Sequence, residues 1–323
     1  MRTVVCAYGE VGHESLAELL ALGADVRLVV THQDAPGEKI WFRSVAELAR
    51  AHAVPVITPD DVNADDVVRT IAAARPELLF SFYFRQMMRR PLLELPTVAA
   101  LNLHGSLLPR YRGRAPVNWV LLHGETETGV TLHVMDEKPD HGEIVAQRRV
   151  AIERDDTALS LTRKLAAEAR LLLRETYPLL VAGRAPRVPQ DHRAASYFGG
   201  RRPEDGAIDW SQSAESIRNL VRAVTDPWPG AFAALGGRRL YVWWAETRDG
   251  VRDAAVGTIV VTPDGRPLVA TGDGALELCD VSWQDGERLS GVDWARREGI
   301  ATGTRFEVGA QGDAREGRQG AMA

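Results

Sequence analysis

The chain of 323 residues is poor in cysteine, with two, and in lysine, with three; it has no apolar run near the roughly 20 residues that cross a bilayer. Cys6 and Cys279 lie too far apart in sequence to suggest a disulfide framework or a zinc pattern. Both fall in apolar stretches, where a cysteine reads as a small core residue. The opening MRTVVCAYGEVGHE reaches charge too soon for a signal peptide and reads as a first strand, so the expected compartment is the cytoplasm. No Gly-x-Gly-x-x-Gly follows that strand, which excludes an ordinary dinucleotide site there. Lysine occurs only at Lys39, Lys138 and Lys164, so the positive charge is nearly all arginine, suited to forked contacts with carboxylate or phosphate. A net charge of −5 and a pI near 6.0 do not point to nucleic acid.

What is present is ordinary for a globular protein: 45% hydrophobic and 26% charged residues, and length enough for two domains. Short apolar runs at Thr3–Tyr8, Asp25–Thr31, Val54–Ile57, Leu78–Phe84 and Ala99–Leu103 alternate with helical patterns. Those helical patterns follow Gly9 and recur at Val45–His52 and Asp65–Ala74. Strands alternating with helices predict an α/β fold, a doubly wound, mainly parallel Rossmann-like sheet. Pro116–His123 reads as a short helix, and Gly129–Met135 and Ile144–Ile152 read as strands flanking the loop DEKPDHG. Asp155-Asp156-Thr157 caps a long helix carrying Leu161, Leu165, Ala169 and Leu172 at helical spacing.

Gly183–Pro203 is weakly patterned and reads as a domain boundary. Beyond it, a helix over Ser213–Thr225 precedes short β-like runs at Leu240–Trp244, Val256–Val261, Pro267–Thr271 and Ala275–Val281. Gly236-Gly237, Asp264-Gly265 and Asp273-Gly274 separate them, predicting a small OB-like β-barrel. The expected division is 1–190 for a catalytic domain, 205–306 for the barrel domain and 307–323 for a polar, Gly-rich, disordered tail.

The most informative stretch is LNLHGSLLPRYRGRAP, from Leu101 to Pro116. Asn102 and His104, two apart on a strand, project to the same side at its exit, where open α/β sheets keep their sites. An imidazole can give and take protons near neutral pH, and an amide NH₂ can donate to a developing oxyanion. With the carboxylate of Asp140 these groups suit acyl transfer between neutral partners; the spacing alone is more often a coincidence of satisfied polar groups. Ser106 has no Gly-x-Ser-x-Gly elbow around it and reads as a turn-stabilising hydroxyl. Arg110, Arg112 and Arg114 form a cluster that a solvated turn would explain, His133 reads as a packed or edge residue, and Met87 and Met88 as plain core.

NLHGSLLPRYRGRAP resembles the signature of the formyltransferases that use 10-formyltetrahydrofolate, and GETETGVTLHVMDEKPDHGEIV resembles the segment carrying that family's catalytic aspartate. The similarity extends through FGGRRPEDGAIDW, VRAVTDPWPGAF and GDGALEL; with FSFYFR and THQDAPGEK it is strongest to the module that formylates UDP-4-amino-4-deoxy-L-arabinose in lipid A modification. The resemblance implies that Asn102 stabilises the tetrahedral oxyanion, His104 handles the proton as an amine attacks the formyl carbon, and Asp140 raises the pKa of His104. It maps the folate contacts onto Gln86, Met87 and Met88, Arg114, and Asp136, Glu137, Lys138, Pro139 and Asp140, largely through loop backbone. It implies 10-formyltetrahydrofolate as co-substrate, no metal, no membrane and a nucleotide-sugar acceptor; it leaves the oligomeric state open.

Three other functions are weighed against this. Methionyl-tRNA formylation would place neutralising charge on the second domain, yet Asp205–Phe306 holds eleven Arg, no Lys and fifteen acidic residues, a net of −4. Glycinamide ribonucleotide formyltransferases share the N-x-H motif but lack a second domain. A folate-binding regulator without turnover would have no need of all three polar groups. A dTDP-linked 4-amino sugar is the alternative acceptor.

Overall fold

A computed structural model describes residues 1–249, 251 and 253–307; the rest, including 308–323 of the expected disordered tail, lie outside the described residues. The chain divides into two compact units. One comprises Met1–Val117, Thr126–Glu153 and Ser160–Gly199; the other takes Asn118–Glu125, Arg154–Leu159 and the chain from Gly200.

The elements of the first part of the chain are β1 (Arg2–Ala7), α1 (Gly9–Ala21), β2 (Asp25–Val30), α2 (Val45–Ala51), β3 (Val56–Ile57), α3 (Asp65–Ala73), β4 (Leu78–Phe82) and α4 (Arg90–Leu93). There follow β5 (Ala99–His104), β6 (Arg112–Gly113), α5 (Pro116–Leu122), β7 (Glu127–Val134), β8 (Ile144–Ala151), α6 (Ala158–Val181) and β9 (Tyr197–Phe198). Seven strands form one sheet in the order β3-β2-β1-β4-β5-β7-β8. The pairs up to β5 are parallel; β7 runs antiparallel to β5, and β8 to β7. Central parallel strands are covered on both faces, so β1 and β4 are buried along almost their whole length. On one face Val4 and Cys6, Leu28 and Val30, and Leu79, alternating along their strands, meet Ile71, Met88 and Leu92.

The chain winds outward from β1 to β3, then returns to lay β4 and β5 on the other side of β1. That reversal puts the switch point between β1 and β4, where their carboxyl ends are joined by Tyr8 N donating to Phe82 O at 3.1 Å. The expected strand over Leu78–Phe84 stops at Phe82 because Tyr83 turns to φ +55°, which extended backbone does not reach. The long helix keeps Leu161, Leu165, Ala169 and Leu172 fully buried, as the spacing predicts. It docks on α1 through the buried carboxylate of Glu18, which accepts from Arg174 Nε at 2.8 Å and Arg170 Nε at 3.0 Å.

The segment expected to be an unpatterned boundary is ordered up to Gly199 and groups with the first unit. Val188 bridges Ile144, and β9 pairs in parallel with β6. Its attachments are backbone bonds, single polar side chains and the stacking of Phe198 on Tyr111, none of which sets up an apolar period to read.

The second unit holds α7 (Ala214–Val224), β10 (Ala231–Leu235), β11 (Arg238–Arg248), β12 (Ile259–Val261), β13 (Pro267–Ala270), β14 (Ala275–Trp283), β15 (Leu289–Ser290) and α8 (Gly291–Arg297). Its six strands make one antiparallel sheet, β10-β11-β14-β13-β12 with β15 on β14. Gly236-Gly237, both at positive φ, closes the β10–β11 hairpin, as a two-residue turn of that type requires. Ser213 and Ser290 cap α7 and α8, accepting from Ser216 N and Asp293 N at 3.1 Å each. Among the described residues no helix is long and apolar enough to cross a membrane.

Candidate active site

Asn102 and His104 stand at the carboxyl end of β5, two residues apart, as the sequence predicts. The register with β7 places His133 directly opposite Asn102 and Thr131 opposite His104. Asp140 enters from the loop between β7 and β8, with its backbone at φ +54°, a region a non-glycine residue occupies at a cost. The three expected side chains therefore converge, and a fourth, His133, joins them.

Asp140 Oδ1 lies 3.3 Å from Asn102 Nδ2, 3.4 Å from His133 Nε2 and 3.5 Å from His104 Nδ1. Asp140 Oδ2 accepts from Gly113 N at 2.8 Å. Burial alone would push this carboxyl up, but the adjoining His104 and His133 rings and the Gly113 amide outweigh it and hold it well below the usual carboxylate range. His104 is itself buried, and its Nε2 donates to the main-chain oxygen of Tyr111 at 2.7 Å. With Nε2 committed as donor, the lone pair of the neutral ring sits on Nδ1, facing a carboxylate oxygen. A proton arriving there turns that contact into an attractive, charge-assisted one.

The loop after β5 is tied down at several points. Ser106 Oγ donates to Arg110 O at 2.7 Å, the turn role expected of it. Thr131 Oγ1 donates to Ser106 O at 2.6 Å and accepts from Leu108 N at 3.2 Å. Tyr111, at φ +60°, aims its carbonyl at His104. Gly113 has φ +96°, and a Cβ there would stand 2.3 Å from Phe198 O, so β6 can lie against β9 only with glycine at this position.

The arginines of this turn separate. Arg110 and Arg114 are exposed, whereas Arg112 is 1% exposed, which corrects its reading as part of a solvated turn. Its guanidinium donates to Gln190 Oε1 at 2.6 and 3.2 Å, to His192 Nδ1 at 3.0 Å and to the Tyr197 hydroxyl. All three partners come from the segment after α6.

The residues mapped to folate divide into side chains already engaged and surfaces left open. Gln86 Oε1 accepts from Val62 N at 2.7 Å and its Nε2 donates to Asp60 O at 3.0 Å, so the side chain latches two loops together. Met87 is 55% exposed, while the Met88 side chain, at 6%, belongs to the core beside Leu79 and Leu92. In the 136–140 loop, Asp136 Oδ1 accepts from Lys138 N at 2.8 Å and its Oδ2 takes a hydrogen bond from His141 Nδ1 at 2.7 Å. Glu137 and Lys138 are exposed and Pro139 is half-buried.

His133 is the site residue that sequence reasoning misses. Its Nδ1 donates to Val134 O at 2.8 Å, leaving Nε2 to accept from Asn102 Nδ2 at 3.1 Å. Its position within GVTLHVM shows only that it shares a face with Thr131; the antiparallel register to β5, which brings it to Asn102, has no local sequence signal.

Comparison with known proteins matches residues 6–176 to the formyl transferase model and 201–299 to the formyl transferase C-terminal domain model. Among solved structures, a variant of HypX from Aquifex aeolicus is similar with TM-score 0.62 and 16% identity over 92% of this chain. This chain spans about half, 47%, of that protein's length. WlaRD, a sugar 3N-formyl transferase solved in the presence of dTDP and 5-N-formyl-THF, has TM-score 0.66 and 19% identity, covering 89% of this chain and 99% of its own. An N-formyltransferase from Helicobacter canadensis, in complex with folinic acid and dTDP-3-aminofucose, has TM-score 0.63 and 18% identity over 85% and 98%.

Proposed function

Because the chain belongs to the formyl transferase family, we propose that it moves the formyl group of 10-formyltetrahydrofolate to the amine of a nucleotide-linked amino sugar, with UDP-4-amino-4-deoxy-L-arabinose, the lipid A modifier, as acceptor. The observation that carries the reading is the meeting of Asn102, His104 and Asp140 around one carboxylate oxygen. Two similar structures, a sugar 3N-formyl transferase in the presence of dTDP and 5-N-formyl-THF and an N-formyltransferase in complex with folinic acid and dTDP-3-aminofucose, support the substrate class.

The amine nitrogen attacks the formyl carbon and the carbonyl oxygen gains negative charge. Asn102 Nδ2, 3.1 Å from His133 Nε2 and 3.3 Å from Asp140 Oδ1, is the donor for that oxyanion. His104 takes the proton lost by the amine, with Asp140 facing the resulting imidazolium, and the proton passes to the folate nitrogen as its bond to the formyl carbon breaks. Met87 offers an open apolar face to the pterin, and Gln86, Met88 and the 136–140 loop offer main chain, with the exposed Arg114 free to meet an anionic group. The reaction belongs in the cytoplasm, where folate and nucleotide sugars are found together.

The acceptor is tested by a panel with 10-formyltetrahydrofolate: UDP-4-amino-4-deoxy-L-arabinose, dTDP-4-amino sugars and charged initiator tRNA. The UDP sugar is expected to give the highest kcat/KM. A higher value with a dTDP sugar moves the assignment within the class, and formylation of tRNA alone overturns it.

A further inference from the structure

Asp140 does not hold its own position. Its backbone is at φ +54°, and its side chain is shared among His104, His133, Asn102 and the Gly113 amide. Its main-chain oxygen, however, accepts from Gln190 Nε2 at 2.9 Å, and the same amide group donates to Gly142 O at 2.6 Å. Gln190 thus grips both sides of the residue that turns the loop.

An amide can be turned over, and a turned Gln190 would set its oxygen against two carbonyl oxygens. Arg112 removes that option. Its Nη2 and Nε both donate to Gln190 Oε1, while Nη2 also donates to His192 Nδ1 and Nη1 to the Tyr197 hydroxyl. Both residues are buried, at 1% for Arg112 and 6% for Gln190. The guanidinium's hydrogen-bond partners are neutral acceptors, so a charge has been taken out of water to hold an amide rather than to pair with a carboxylate.

We propose that Gln190, oriented by Arg112, is a positioning residue that holds the Asp140–Gly142 backbone so that the Asp140 carboxylate faces the His104 imidazole. The inference rests on the proposed role of Asp140 as the partner of His104.

The test is a double-mutant cycle between Gln190→Leu and Asp140→Asn, read as steady-state formyl transfer to UDP-4-amino-4-deoxy-L-arabinose. Gln190→Leu is expected to lower kcat about tenfold or more, with both KM values within about threefold of the parent, as for loss of a support behind a catalytic group. In the Asp140→Asn background the same change is expected to cost less than about twofold, because the group it positions is already gone. An equal loss in both backgrounds, or a folded Gln190→Leu enzyme with parental kcat, overturns the proposal. If Gln190→Leu does not fold, Gln190→Glu keeps an acceptor for Arg112 but has no donor for the loop, and the same two outcomes decide. His104→Ala is measured alongside: an inactive His104→Ala beside unaffected Gln190 variants removes only the positioning role, whereas an active His104→Ala removes the catalytic reading and this inference with it.

Discussion

Asn102 Nδ2 lies 3.1 Å from His133 Nε2, across the antiparallel β5–β7 pair. In the neutral ring, with His133 Nδ1 donating to Val134 O, Nε2 accepts, which sets the Asn102 amide with its nitrogen toward the site. His133→Leu removes the acceptor and leaves the amide free to turn. The expected result is a fall in kcat of about tenfold with folate KM little changed, and partial recovery in His133→Gln, which restores an acceptor. Equal loss in both variants would show that the ring's bulk, not its lone pair, is what matters.

His104→Ala and Asn102→Ala are each expected to lower kcat by about a hundredfold or more, the usual worth of a general base or an oxyanion donor. Circular dichroism and thermal melts establish that each variant folds. Near-parental rates in both would refute the assigned roles.

The folded enzyme holds the Asp140 carboxyl below its ordinary value of 3.8, so its ionised form is the one that folding favours. That contribution is fully present above the unfolded value and is lost as pH falls below it toward the folded value. Urea midpoints measured between about pH 5 and about pH 3 should therefore fall more steeply in the parent than in Asp140→Asn, which has no proton to take up at this site. Parallel slopes would show that the carboxylate is not held ionised by its neighbours.

Gly113→Ala combines a left-handed backbone with a Cβ placed 2.3 Å from Phe198 O. The β6–β9 contact must open, and the Gly113 amide moves with it away from Asp140. A loss of about 2 kcal/mol or more in unfolding free energy is expected, with activity falling further than stability. A variant of parental stability would show that the turn can shift without cost.

Much of this molecule can be read from its sequence because one period governs it. β1, β2, β4 and β5 are runs of strand formers bounded by turn residues, and the Asn102–His104 spacing on β5 already places both side chains at one sheet edge. Asp140 is tied to His104 firmly only through resemblance, since nothing local says that a loop 36 residues beyond His104 folds back on it. His133 is hidden because strand direction leaves no mark on composition: β7 would look the same if it ran parallel to β5. Arg112 is misread because an arginine between Gly, Pro and Tyr has the makings of an exposed turn; its burial depends on Gln190, His192 and Tyr197, about 80 residues away. The same long reach makes the segment after α6 look like a linker. Met88, beside the exposed Met87, shows the reverse case, in which the bland reading as core holds for the side chain.

The account turns on formyl transfer from folate to a sugar amine through His104. The most direct measurement follows 10-formyltetrahydrofolate consumption together with the mass of the nucleotide sugar, for the parent and for His104→Ala. Consumption matched one for one by a formylated UDP-amino sugar in the parent, and slowed by about a hundredfold or more in His104→Ala, is the predicted result. Donor loss without a formylated sugar, or equal rates in the two proteins, would contradict it.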